Sequence, residues 1–208
     1  MTPQDRALLD AAQRGDTAAV SAALAAGAAV DARDEDLRTA LLRAALADHV
    51  DVAELLLAAG ADPNAPDARA DSPWLVTGVT GSVRMMRALL PAGPDLGQLN
   101  RFGGISLIPA AERGHTAYVR AVLAETDIDV DHVNRLGWTA LLEAVILGDG
   151  GPRHEEVVRL LLAAGADPAL GDLDGVTPYE HAVRRGFEGM ARVLRAAAAA
   201  AAEGEAGR

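Results

Sequence analysis

Gly137-Trp138-Thr139-Ala140-Leu141-Leu142-Glu143-Ala144, broken at Gly148 and resumed at Glu155-Glu156-Val157-Val158-Arg159-Leu160-Leu161-Leu162-Ala163-Ala164-Gly165-Ala166-Asp167, spells two short helices joined by a turn. Thr139 suits an N-cap, where its hydroxyl accepts an orphan backbone N–H. The second run places Val157, Val158, Leu160, Leu161 and Leu162 on a wide apolar stripe. Gly165 stands where a helix end needs a left-handed residue. The same unit recurs along the chain. Gly15, Asp48, Gly81, Gly114, Gly148 and Gly186 take one equivalent position in six segments, with steps of 33, 33, 33, 34 and 38 residues. A fixed period of this length marks a solenoid, in which each unit buries its apolar face only against its neighbours.

Composition agrees with that reading. Half of the 208 residues are hydrophobic, but only 3% are aromatic. Ala, Leu and Val suit small, close-packed helices. No apolar run approaches the roughly 18 residues of a membrane span. The start, Met1-Thr2-Pro3-Gln4-Asp5-Arg6, lacks an apolar leader, so no secretory signal is expected. Zero cysteines exclude disulfides, thiolate zinc sites and cysteine nucleophiles. The expectation is a soluble, cytoplasmic protein.

The net charge is −11 and is spread along the chain, with 8 Arg against 14 acidic residues in 1–99 and 11 against 16 in 100–208. Without a basic pole, nucleic acid is a poor partner. All 19 basic residues are arginine. That removes P-loop and Schiff-base lysine chemistry.

Segment two repeats the unit as Thr39-Ala40-Leu41-Leu42, Val52 to Leu57, and Gly60-Ala61-Asp62-Pro63-Asn64. Segment six has Thr177-Pro178-Tyr179, with Pro178 at the first helical position it favours. Segments three and four diverge, at Ser72-Pro73-Trp74 and Ile105-Ser106-Leu107. These boxes, the Gly114-His115 pair and the Gly-Ala-Asp closing turns (Gly60-Ala61-Asp62, Gly165-Ala166-Asp167) resemble the ankyrin repeat family over about residues 1–195. The resemblance implies an all-α solenoid of stacked helix–turn–helix units with projecting β-turn fingers. The expected organisation is one ankyrin repeat domain, residues 1–195, with repeats at about 1–33, 34–66, 67–99, 100–133, 134–171 and 172–195. An Ala-rich helical extension and a frayed tail follow at 196–208. The family's box histidine is absent; Leu9, Leu42, Leu75, Ile108, Leu142 and Glu180 stand there. Five extra residues, 149–153, give a long fifth repeat that looks like a variant of bacterial members.

No constellation supports catalysis, a cofactor or a metal. His49, His115 and His154 are spaced one per repeat, which suits turn stabilisation rather than metal binding. Asp127, Asp129 and Asp131 imitate the start of a calcium loop, but His132 replaces its glycine and Trp138 its closing Glu. Gly148-Asp149-Gly150-Gly151 lacks the strand and lysine of a phosphate loop. Trp74 takes a buried leucine position.

The resemblance implies a non-enzymatic module that binds another protein on the face formed by finger tips and first helices. The candidates are Arg101, Phe102, Arg113, Arg135, Leu136 and Trp138, two aromatics and three arginines on repeats four and five. Aromatic and Arg residues dominate binding hot spots. In the alternative, Phe102, Leu136 and Trp138 pack on one another and on the neighbouring finger. No nucleic acid or membrane is expected as partner, and a monomer is preferred to a homodimer. Other readings are a self-associating structural protein, or an accessory subunit of a bacterial stress-response enzyme.

Overall fold

The structure, a computed structural model, describes residues 1–206, with side chains described through Ala201. Among the described residues every regular element is helical. The chain divides into two compact units, Met1–Arg101 and the residues from Phe102 onward.

The first unit holds α1 (Pro3–Arg14), α2 (Thr17–Ala25), α3 (Ala40–Leu46), α4 (Val50–Ala58), α5 (Pro73–Thr80) and α6 (Val83–Leu89), then a 3₁₀ turn at Leu90–Ala92. The second holds α7 (Leu107–Glu112), α8 (Thr116–Glu125), α9 (Ala140–Ile146), α10 (Pro152–Ala163), α11 (Pro178–Arg184) and α12 (Glu188–Ala206). Within each unit the helices form two layers. The first helices of successive repeats pack side by side (α1 on α3 on α5; α7 on α9 on α11), and the second helices form the other layer. The alanines 196–202 continue α12. The expected frayed end, residues 207 and 208, lies outside the described residues.

Helices of six to twelve residues are too short to stand alone in water, so packing must hold them. Leu8, Leu9, Leu41, Leu42 and Leu56 are fully buried in the first unit; Leu107, Leu141, Leu142, Val157 and Leu161 are fully buried in the second. Each such side chain contributes about 1.5–3 kcal/mol by leaving water. Leu9, Leu42, Leu75, Ile108 and Leu142, which replace the box histidine, are all buried. Glu180 at the sixth equivalent is exposed and completes a capping box with Thr177. Trp74 is fully buried, and its indole N–H has no partner among the described residues.

The caps explain where the first helices begin. Thr39, Ser72, Thr139 and Thr177 each accept the backbone N–H three residues on. Repeat four has Ile105 at that register position. Its helix starts behind Ser106, whose hydroxyl is buried without a partner among the described residues. Pro109 lies in the first turn of α7, where no intrahelical donor is lost.

One equivalence read from the sequence needs correction. Gly148 keeps the repeat register, but the left-handed residue of that turn is Gly150, at φ 71°. The extra residues 149–153 are shared between a longer loop and the first turn of α10, which begins at Pro152. Phe187 covers Gly150 so closely that a Cβ there would run into its ring.

Candidate functional site

Each well-formed finger is built on one side chain. Asp34, Asp67, Asn134 and Asp172 use Oδ1 to accept the N–H groups two and four residues on, at 2.8–3.1 Å. The backbone N–H of the same residue donates to the carbonyl four residues on, closing the turn. This geometry requires a left-handed residue at the fourth position. Gly103, Gly137 and Gly175 supply it at φ 74–76°, whereas Leu37 and Ala70 adopt it at φ 62° and 61°.

The finger is then tied to its own first helix. Asp34 pairs with Arg43 at 2.7 Å, and Asp172 with His181 at 2.7 Å. Burial raises the Asp34 carboxyl, but Arg43 and backbone N–H donors outweigh that, leaving it below the usual range. The N–H of Val176 and then His181 hold Asp172 low. In repeat five the pair is Asn134 and Glu143, with Asn134 Nδ2 donating to Glu143 Oε1 at 2.8 Å. Glu143 is only 5% exposed. Burial, with the charge of Glu112, pushes its carboxyl up to about 7 against the opposing Asn134 bond. Nothing in a lone sequence marks Glu143. Its signal is visible only in register, as an acid where Arg43 and His181 stand opposite a carboxylate.

Five of the six candidate residues lie in the second unit. Phe102 and Leu136 each precede the left-handed glycine of their finger and are 52% and 49% exposed. The two tips are hydrogen-bonded, Arg135 N–H to Phe102 C=O at 2.9 Å. The Arg135 stem crosses the preceding finger; a Cβ on Gly103 would come within 2.7 Å of Arg135 Cγ. His132 Nε2 bonds the Gly103 carbonyl at 2.8 Å, adding a second tie. Trp138, at the finger base, is half-buried. Arg113 is exposed and caps the end of α7; Leu147, its equivalent on α9, is 50% exposed. Arg101 belongs to the first unit, where it pairs with Asp71 at 3.6 Å. Leu173, 81% exposed, extends the apolar row by lying over Gly137.

The other sequence candidates have structural partners. His49 Nε2 meets the Gln13 carbonyl at 3.2 Å, and His154 Nε2 meets the equivalent Glu112 carbonyl at 2.8 Å. Asp129 accepts from Asp131 N–H, and Asp131 from Asp167 N–H. Among the described residues no group of three His, Cys, Asp or Glu is placed to hold a metal. Among them, too, no helix is long and apolar enough to cross a membrane.

Comparison with known proteins places this architecture. The family description "Ankyrin repeats (3 copies)" matches residues 2–67 and 76–172. The putative ankyrin repeat protein YahD of Escherichia coli is 43% identical over 189 residues, covering 91% of this chain and 94% of that protein. An ankyrin repeat domain from Acinetobacter baumannii AYE, of solved structure, is 46% identical with a TM-score of 0.86, covering 91% of this chain and 96% of that one. A second ankyrin repeat protein of solved structure is 36% identical with a TM-score of 0.88, over 93% and 98%. The chain therefore belongs to the ankyrin repeat family, whose repeats are generally protein–protein interaction modules.

Proposed function

We propose that the protein is a non-enzymatic binding module, acting as a monomer in the cytoplasm, whose protein partner docks on the second unit at Phe102, Arg113, Arg135, Leu136 and Trp138. One observation carries this reading. Phe102 and Leu136 stand half-exposed on adjacent finger tips that the Arg135–Phe102 backbone bond and the His132–Gly103 bond hold in place. Large apolar side chains on a rigid support lose little entropy on binding. A contiguous exposed apolar row flanked by arginine is the usual make-up of an interface.

The test is affinity isolation of the tagged chain from its native lysate, with mass spectrometry of co-purifying proteins and light scattering of the eluted protein. Leu136→Ser and Trp138→Ala are run beside it. Truncating a central anchor costs about 2 kcal/mol or more, near thirtyfold in affinity. The reading predicts one partner retained by the native chain and lost by Leu136→Ser with unchanged helicity. A partner retained by both variants, or no partner and a homodimer in light scattering, would overturn it.

A further inference from the structure

Repeat five buries an acid without a counter-charge, and that acid is wired to the finger that presents Leu136. Three other fingers are built on a carboxylate, and each of these meets a base: Asp34 with Arg43, Asp67 with Arg38, Asp172 with His181. In repeat five the finger residue is the neutral Asn134 and the helix residue is the acid, Glu143. Both are buried, at 7% and 5% exposure. Asn134 uses both ends of its amide. Its Nδ2 donates to Glu143 Oε1 at 2.8 Å, while its Oδ1 accepts the Leu136 and Trp138 backbone N–H groups at 2.9 and 3.1 Å. The same finger is tied to the one before it by Arg135 N–H and the Phe102 carbonyl. Glu143 is thus one hydrogen bond from the residue that shapes the turn under Leu136.

We infer that Glu143 and Asn134 form a pH-operated latch on the repeat-five finger, closed while Glu143 is protonated and loosened once it ionises. A buried carboxylate without a counter-charge is costly, so it either keeps a proton or turns toward water. Elements packed against α9 carry Glu112 and Arg113 by α7, Arg153, His154, Glu155, Glu156 and Arg159 on α10, and Tyr179, Glu180, His181 and Arg184 on α11; Arg135 stands on the finger itself. Several of these are engaged elsewhere: His154 with Asp149, His181 with Asp172, Arg159 with Glu155, and Glu156 with Arg120. The charge that reaches Glu143 is that of Glu112, and it has the same sign. Burial first, then Glu112, push the Glu143 carboxyl up to about 7 against the Asn134 bond. Between 4.5 and about 7 the closed finger therefore holds a proton that a solvent-facing carboxyl has released. Opening becomes easier as pH rises through that window and levels off above it. The latch stands on this geometry alone. Its consequence, a Leu136 contact held firmly below about pH 7 and loosely above, rests on the binding reading.

Amide hydrogen exchange of the full chain, resolved by NMR at pH 5, 6, 7 and 8 and divided by the intrinsic rates, tests the latch. Protection of the Leu136 and Trp138 N–H groups should fall at least about tenfold from pH 5 to 8, with about a hundredfold as the limit set by the shift. Two references sit in the same molecule. The Asp36 and Arg38 N–H groups make the equivalent bonds to Asp34, whose partner is Arg43, and the α8 amides belong to the same unit as the finger. Both sets should stay constant within about threefold, the margin that separates a local opening from global unfolding. Glu143→Gln, with its fold checked by circular dichroism, should show no pH-dependent fall at Leu136 and Trp138. Constant protection in the native finger, an equal fall in Glu143→Gln, or a parallel fall in α8 and the Asp34 finger would overturn the latch. The native chain alone can return the first and third of these results. Failure of the docking reading leaves these exchange rates unaffected, so the two fail separately.

Discussion

Replacing Glu143 with glutamine gives the sharpest quantitative test of the repeat-five architecture. Glu143 is 5% exposed, its carboxyl is pushed from 4.5 up to about 7, and burial is the first cause, with Glu112 the second. Charged groups on the elements packed against α9 are Glu112 and Arg113 by α7, Arg153, His154, Glu155, Glu156 and Arg159 on α10, and Glu180, His181 and Arg184 on α11. Of these, Glu112 is the one that bears on the shift. In the window between about 4.5 and 7 the folded state holds a proton that the unfolded chain has released. Stability therefore falls as pH rises through that window, with the full penalty present above about 7. At 1.36 kcal/mol per unit the shift corresponds to roughly 3 kcal/mol as an upper figure. Glu143→Gln keeps the oxygen that accepts from Asn134 Nδ2 and removes the charge. We expect the variant to be more stable than the native chain by roughly 1–3 kcal/mol at about pH 8, with the gap closing to within about 0.5 kcal/mol near pH 4.5. Urea unfolding followed by circular dichroism at several pH values measures it. A variant of equal or lower stability at pH 8, or a gap that does not change with pH, would refute the reasoning.

Further substitutions separate the local rules. Ser106→Ala removes a buried hydroxyl without a partner; we expect it to be neutral or to stabilise by about 1 kcal/mol. Thr139→Ala removes a hydroxyl that caps Leu142 N–H, so it should destabilise by about 1 kcal/mol; urea midpoints compare the two signs. Ala70→Gly relieves a left-handed residue at φ 61°, which costs an L-residue about 1–2 kcal/mol, partly offset by the added freedom of glycine in the unfolded chain. A net gain of up to about 1 kcal/mol in unfolding free energy is expected. Gly137→Ala places a methyl at φ 76° and against Leu173, so thermal unfolding should move down by at least about 1–2 kcal/mol equivalent.

Much of this architecture was legible because the repeat states it six times. The N-cap residues, the apolar second-helix stripe and the closing Gly-Ala-Asp turn are local features, each fixed by a few neighbouring residues. The family and the all-helical class followed from their register. Features that depend on contacts far along the chain were not legible. The left-handed turn at Gly150 rather than Gly148 depends on where the insertion closes, with Phe187 lying over it. The tie between His154 and the Glu112 carbonyl spans 42 residues. In the divergent fourth segment Ile105 holds the register position of the cap, and α7 starts behind Ser106, whose hydroxyl has no partner among the described residues. For the candidate site, the sequence placed Phe102 and Leu136 on finger tips, but exposure is a property of packing. By register Leu147 and Leu173 belong to the same face; it took the structure to show them exposed and Trp138 half-buried.

The central claim is that the finger tips and first-helix ends of the second unit are the docking surface. Hydrogen exchange of the full chain, read by mass spectrometry with and without its bound partner, tests this most directly. The account predicts slowed exchange in the segments 102–106, 112–115, 134–138 and 146–150, with α8, α10 and the first unit unchanged. Protection confined to the second helices or to the first unit, with the 102–106 and 134–138 fingers unchanged, would contradict it.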